Sequence, residues 1–293
     1  MPNSRQRSAA QGWSAALDGS GAIDLELFRS SPDCRTLLYP ELAWQYAHMT
    51  PQPASICLGC WQNMHLPIPL RGPLSAPFRL FGIKPSRMNP NTCTICEMAF
   101  SRVMKARAIS IDATVMFADL RGYTTLTQNI DQNALTSLLD AFYDECATAI
   151  WRHDGLLNKT IGDAVFATFN FPVRQTDHAV QAVLAARDIQ RGFYSRREEL
   201  MRIIAQPDQS VEMGIGIGID SGDTNFGEFG QTHRDLTAVG TVVNRAARAQ
   251  SAAKSGEILV TASVRDRTGV MIAGGGTEHN LKGFEDPVTL FRA

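Results

Sequence analysis

A chain of 293 residues has room for one large or two modest domains, and with 44% hydrophobic residues it can build a core without disulfide staples. Its formal net charge of -1 argues against a broad electrostatic interface with nucleic acid, and no apolar run approaches the roughly 20 residues that span a bilayer. The polar opening MPNSRQRSAAQGWSAALDGSG lacks the apolar stretch of a secretory signal, so a cytoplasmic protein with no membrane partner is expected.

Residues 1 to 35, rich in Ser, Gly, Ala and Gln without a sustained period, are expected to form a poorly ordered tail. Residues 36 to 107 read as a small irregular module. Prolines in HLPIPLRGPLSAPF and KPSRMNP interrupt helices there, until CTICEMAFSRVMKARA gives a helix leading into the next unit. Four of the six cysteines form two CxxC pairs, Cys57/Cys60 and Cys93/Cys96. In a reducing compartment such pairs more often bind metal or do redox chemistry than form disulfides. A four-thiolate set suits Zn²⁺, an iron-sulfur cluster or a redox dithiol, and His65 could replace one ligand. Few basic residues surround these cysteines, which speaks against a nucleic-acid-binding zinc domain.

From residue 108 to 293 the pattern is regular α/β. SIDATVMFADL is a buried strand that ends on the carboxylate of Asp119. In NALTSLLDAFYDECATAIWRHDG, apolar residues recur at Leu135, Leu138, Leu139, Phe142, Tyr143, Cys146 and Ile150, the spacing of a helix with Cys146 on its core face. LLNKTIGDAVFATFN gives two strands joined by Gly162-Asp163, a pair that suits a type II′ hairpin with Asp163 at the tip. TDHAVQAVLAARDIQRGFY is a second helix, capped by Thr176 or Asp177. SVEMGIGIGIDSG resembles a dinucleotide fingerprint, but the spacing is GxGxG and no helix follows. A strand with one bald glycine face, open to close approach by a helix or another backbone, is the better reading. AVGTVVNRAARAQSAAKSG is a loop and helix, EILVT a strand, and HNLKGFEDPVTLFRA a final strand pair.

Asp119 at a strand end and Asp163 at a hairpin tip would converge if their elements are sheet neighbours. Two carboxylates so placed are hard oxygen ligands of the kind Mg²⁺ accepts, and Mg²⁺ usually brings phosphate with it. Alone, each would be a solvated turn residue. Asn244 and Arg248, four apart near a helix start, share one face, where an amide and a guanidinium can orient a sugar and neutralise a phosphate.

VMFADLRGYTTLT, GLLNKTIGDAVFATF, DHAVQAVLAARDI, GIGIDSGDTNFGEFG, RDLTAVGTVVNRAARAQ, SGEILVT and LKG follow one another in the order and spacing of the class III nucleotidyl cyclase catalytic domain. The resemblance covers residues 108 to 293 and implies a ferredoxin-like or palm-type α+β fold, an antiparallel-rich sheet flanked by helices. It implies further that Asp119, the Leu120 carbonyl and Asp163 hold two Mg²⁺ or Mn²⁺ ions, and that Lys159 and Thr237 read the base. Asn244 and Arg248 would orient the ribose and stabilise the transition state, and Lys282 would touch the triphosphate. A Lys/Thr pair goes with ATP in a bacterial subgroup, with GTP or a pyrimidine nucleotide as the alternative substrate. In the family the site lies between two catalytic domains, so a homodimer is expected. A degenerate, nucleotide-binding copy is the rival reading; the joint presence of Asp119, Asp163, Asn244 and Arg248 argues against it. Thr241 and Arg245 depart from the common pattern, and the Arg245 charge is expected near the nucleotide or the dimer seam. The cysteine module is expected to act on dimer geometry through the helix from about 94 to 107.

Overall fold

The computed structural model describes residues 54–106, 108–127, 130–196, 199–200, 202, 213–229 and 235–293. The expected tail at 1 to 35, the lone Cys34 and the first part of the cysteine module lie outside them. Strand β1 (Ile109–Arg121) is the spine of the catalytic region. Its even positions Met116, Ala118 and Leu120 enter one core, while Val115 and Phe117 on the other face join a second, as a period of two requires. The run is apolar throughout because both faces are covered.

The first core is filled by α5 (Gln132–Arg152), through Leu138, Phe142, Cys146 and Ile150, and by α6 (His178–Ser195). Cys146 is fully buried there, as its helical position predicts. Asp131 caps α5, its carboxylate accepting from Asn133 N. Asp177 is the N-cap of α6; its carbonyl accepts from Gln181 N, while its carboxylate makes no capping bond and accepts from the Gln181 side chain.

Strands β2 (Leu156–Ile161) and β3 (Ala164–Phe169) form the expected hairpin, with Gly162 at φ 59° and Asp163 completing the turn. Strand β4 (Gly214–Phe229) is longer than its glycine motif suggests. Its far half pairs with both Ile109 to Ala113 of β1 and the strand β5 (Asp235–Val239). With β6 (Ile258–Thr261), β7 (Thr277–His279) and β8 (Val288–Arg292), the sheet order is β2-β3-β1-β4-β6-β8-β7, with β5 also on β4. The β4–β6 pair is parallel and the others antiparallel, so the antiparallel-rich sheet flanked by helices is present.

Helix α7 (Thr241–Ala252) lies on the glycine face of β4. A Cβ at Gly218 would fall 2.0 Å from Gln250 N and 2.4 Å from Ala246 O, so only glycine admits the helix at this depth. Upstream, α1 (Leu58–Met64), α2 (Ala76–Leu80) and α3 (Thr94–Ala106) are short elements around a small core of cysteines, and α4 (Tyr123–Thr127) follows β1. This segment and the sheet belong to one compact unit, Pro51–Ala293.

Candidate functional site

Asp119 is the third-last residue of β1 and stands in register with Ala164, the residue after Asp163. Leu120 N donates to the Asp163 carbonyl at 3.1 Å, which ties the hairpin tip to the strand end. The N–H and C=O of one strand residue point to the same side, so the Leu120 carbonyl also faces the hairpin. Tyr143 of α5 donates to the Gly162 carbonyl and fixes the tip from the helix layer. Burial, then the Asp163 charge, raise the Asp119 carboxyl above its ordinary range, against the pull of Arg121. Two neighbouring carboxylates with a backbone carbonyl turned toward them are a hard oxygen donor set that fits Mg²⁺ or Mn²⁺.

Arg121 donates to Asp119 Oδ2 at 2.9 Å and to the Gln250 carbonyl on α7. Its guanidinium occupies the room left by Gly216, where a Cβ would meet its Nε at 2.4 Å. Sequence reading assigned Arg121 no role. The signal was its i+2 position after Asp119, which places both on one strand face.

Asn244 and Arg248 are exposed together on α7, but the structure does not bring them to the aspartates of their own chain. Val242, Ala246, Ala249 and Gln250 form the buried face of that helix. At 3.6 residues per turn, Asn244 and Arg248 fall on the opposite side, with the helix between them and the sheet. Val242 lies 3.2 Å from the Cβ position of Gly222, which pairs with Ala113. The start of α7 is therefore about 20 Å along the strand from Asp119, while its far end at Gln250 is joined to Asp119 through Arg121, so it is the outward facing of Asn244 and Arg248 that keeps them from the aspartates. Lys159 on β2 is half-buried and stands opposite Phe166, in the second core. Thr237 on β5 is half-buried opposite Gly227, and Lys282 is exposed in the turn between β7 and β8.

Arg245 is engaged within its own chain. Its Nε pairs at 2.6 Å with Oδ2 of Asp220, a fully buried residue of the glycine strand. The other carboxylate oxygen of Asp220 accepts from Thr261 at 2.6 Å, Ser263 at 2.8 Å and Ser221 N at 2.8 Å. The charge that departs from the common pattern therefore answers another charge inside the chain.

Cys57, Cys60, Cys93 and Cys96 converge, all four buried, with every Sγ within 4.8 Å of the others. Burial pushes the Cys60 thiol up to about 12, while hydrogen bonds from Cys57 and Cys96 hold Cys93 far below the usual thiol range. His65 is not part of this set. It is exposed, left-handed at φ 55°, and sits edge-on to Trp61 as the C-cap of α1.

A mixed sheet with paired aspartates at its central strand end, and a helix laid on a glycine strand, defines the class: a nucleotidyl cyclase catalytic domain. The family model described as adenylate and guanylate cyclase catalytic domain matches residues 107–277, and the chain belongs to that family. It is 29% identical over 153 residues to adenylate cyclase 1 of Rhizobium meliloti, covering 52% of this chain and 22% of that protein. It is 26% identical over 174 residues to a receptor-type guanylate cyclase of Caenorhabditis elegans, covering 58% of this chain and 15% of the relative. Among solved structures it is similar to the adenylyl cyclase CyaB from P. aeruginosa, with a TM-score of 0.59 and 28% identity over 64% of this chain and 95% of that one. The chain thus spans less than a quarter of the length of these two curated relatives. Among the described residues, no helix is long and apolar enough to cross a membrane.

Proposed function

We propose that this chain is an adenylate cyclase that converts ATP to 3′,5′-cyclic AMP and pyrophosphate in a site shared by two copies. The observation that carries the reading is the separation just described. The carboxylate pair lies on the sheet, while Asn244 and Arg248 face away from it on α7. A second copy whose α7 faces the first copy's Asp119 and Asp163 completes the set, and symmetry gives two equivalent sites.

Asp119, Asp163 and the Leu120 carbonyl would hold two Mg²⁺ or Mn²⁺ ions. Bound there, the ions supply acidification of the ribose 3′-hydroxyl and neutralisation of phosphate oxygens. The 3′-oxygen then attacks the α-phosphorus, its proton is lost, and the bond to the pyrophosphate oxygen breaks. The Asn244 amide holds the ribose for this in-line approach. Arg248 donates to the α-phosphate oxygens as charge grows on them, a contribution of a few kcal/mol in comparable sites. Lys159 donates to the acceptor edge of the purine, and Thr237 accepts from the adenine amino group. Lys282 neutralises part of the triphosphate.

The test is to supply ATP, GTP, CTP and UTP in turn with Mn²⁺ or Mg²⁺ and identify the cyclic product by mass. Cyclic AMP as the main product is expected. A preference for GTP would reassign the substrate, which a hydroxyl at position 237 does not sterically forbid. Absence of any cyclic nucleotide would overturn the enzymatic reading.

A further inference from the structure

The cysteine cluster is independent of the nucleotide chemistry, and its geometry selects among the ligands that four thiolates can take. The sulfurs of Cys57 and Cys96 are 3.6 Å apart, those of Cys60 and Cys93 3.5 Å, and those of Cys60 and Cys96 3.3 Å. A disulfide needs about 2.05 Å, and all four are free thiols. One tetrahedral ion with sulfur at about 2.3 Å holds its ligands about 3.8 Å from each other. An iron-sulfur cluster interposes iron and sulfide and spreads its thiolates wider.

The surroundings suit a single charged centre. Cys60 N and Cys93 N donate to Cys57 Sγ at 3.4 and 3.2 Å, which stabilises a ligating thiolate. A Cβ on Gly59 would lie 3.0 Å from Cys96 Sγ, so the chain closes tightly over the sulfurs. Apart from the cysteines, Leu70 is the one fully buried apolar side chain of this cluster among the described residues. So small a core of its own gains from a staple.

What the staple would hold is also visible. Leu58 N donates to Asn91 O at 2.9 Å and Thr94 N to Lys84 O at 3.0 Å, so both cysteine pairs frame the loop from 84 to 93. That loop grips the corner between α5 and β2. Asn91 Nδ2 donates to Asp154 Oδ1 at 2.6 Å, and Asn89 Nδ2 to Gly155 O at 3.1 Å. The Met88 carbonyl accepts from Trp151 Nε1 at 2.8 Å and Leu157 N at 3.3 Å. Lys159 follows two residues later on the same strand.

We propose that Cys57, Cys60, Cys93 and Cys96 bind one Zn²⁺ as a tetrahedral thiolate site, and that this ion fixes the 84–93 loop as a clamp on the start of β2. The test uses the full chain. Elemental analysis should find close to one zinc per chain and no acid-labile sulfide. Exchange into Co²⁺ should give the absorption of a tetrahedral cobalt thiolate, lost in Cys93→Ser and Cys96→Ser. Chelation should abolish amide-exchange protection at Leu157, whose N–H donates to the Met88 carbonyl, while Ile217 to Ile219 in β4 keep theirs, and added Zn²⁺ should restore it. Iron in the site, or a folded chain without bound metal, would overturn the assignment; unchanged protection at Leu157 after zinc removal would overturn the clamp.

Discussion

Asp119 and Asp163 meet because Leu120 N donates to the Asp163 carbonyl at 3.1 Å, across the end of β1 and the tip of the β2–β3 hairpin. Each carboxylate is placed by backbone that is itself fixed, Asp119 by a buried strand and Asp163 by a two-residue turn anchored through Tyr143. Replacing either by Asn should lower product formation by at least about 100-fold, because a neutral amide holds a divalent ion poorly.

The raised Asp119 carboxyl makes a prediction about stability. The folded chain holds this proton more tightly than the unfolded chain. The stability it contributes is therefore full below the ordinary carboxylate pKa and is lost as pH rises through the raised value. At neutral pH without divalent ions, Asp119→Asn should melt at the wild-type temperature or about 1–3 °C higher. Mn²⁺ should reverse the order by stabilising the wild type alone. A lower melting temperature for the ion-free variant would contradict the assigned direction.

Gly218→Ala should cost about 1–3 kcal/mol, because its methyl would meet the backbone of α7 at Ala246 and Gln250. Gly216→Ala should cost less, since its obstacle is the Arg121 side chain, which can move. Urea unfolding of the two variants compares them directly; equal losses would show that α7 shifts freely.

Arg245→Ala leaves the buried Asp220 carboxylate without its cation and should destabilise by about 2–3 kcal/mol, discounted for the partial exposure of the arginine. Adding Asp220→Asn should recover part of that loss, with a coupling of about 1 kcal/mol or more in a double-mutant cycle. A raised KM for ATP with little loss of stability would instead place Arg245 at the nucleotide.

Equal amounts of Asp119→Ala and Arg248→Ala chains, each inactive alone, should regain about a quarter of wild-type activity when mixed. Half of the dimers are then mixed, and each of those carries one complete site of two. Proven heterodimers without activity would show that both groups act within one chain.

Much of this was legible in local pattern. Gly162-Asp163 between two apolar runs specified the hairpin, and the alternate glycines of GIGIGIDSG specified a face bare enough for a helix. Both are properties of a few adjacent residues, so no distant partner was needed to read them. The loop SRMNPNTC gave only broken helix, because its meaning lies in bonds from Asn89 and Asn91 to residues more than 60 positions away. Asp220 and Arg245 likewise stood in separate motifs, and only packing α7 onto β4 made them a pair.

The sequence by itself determined which residue types could do the chemistry and which elements carry them, because periodicity, turn residues and motif order are local. The tertiary structure decided which of those groups meet. Register set Asp119 beside Asp163, and the close seat of α7 on Gly218 turned Asn244 and Arg248 away from them. Such distances depend on how sheet and helix pack across the whole fold, and no spacing along the chain encodes them.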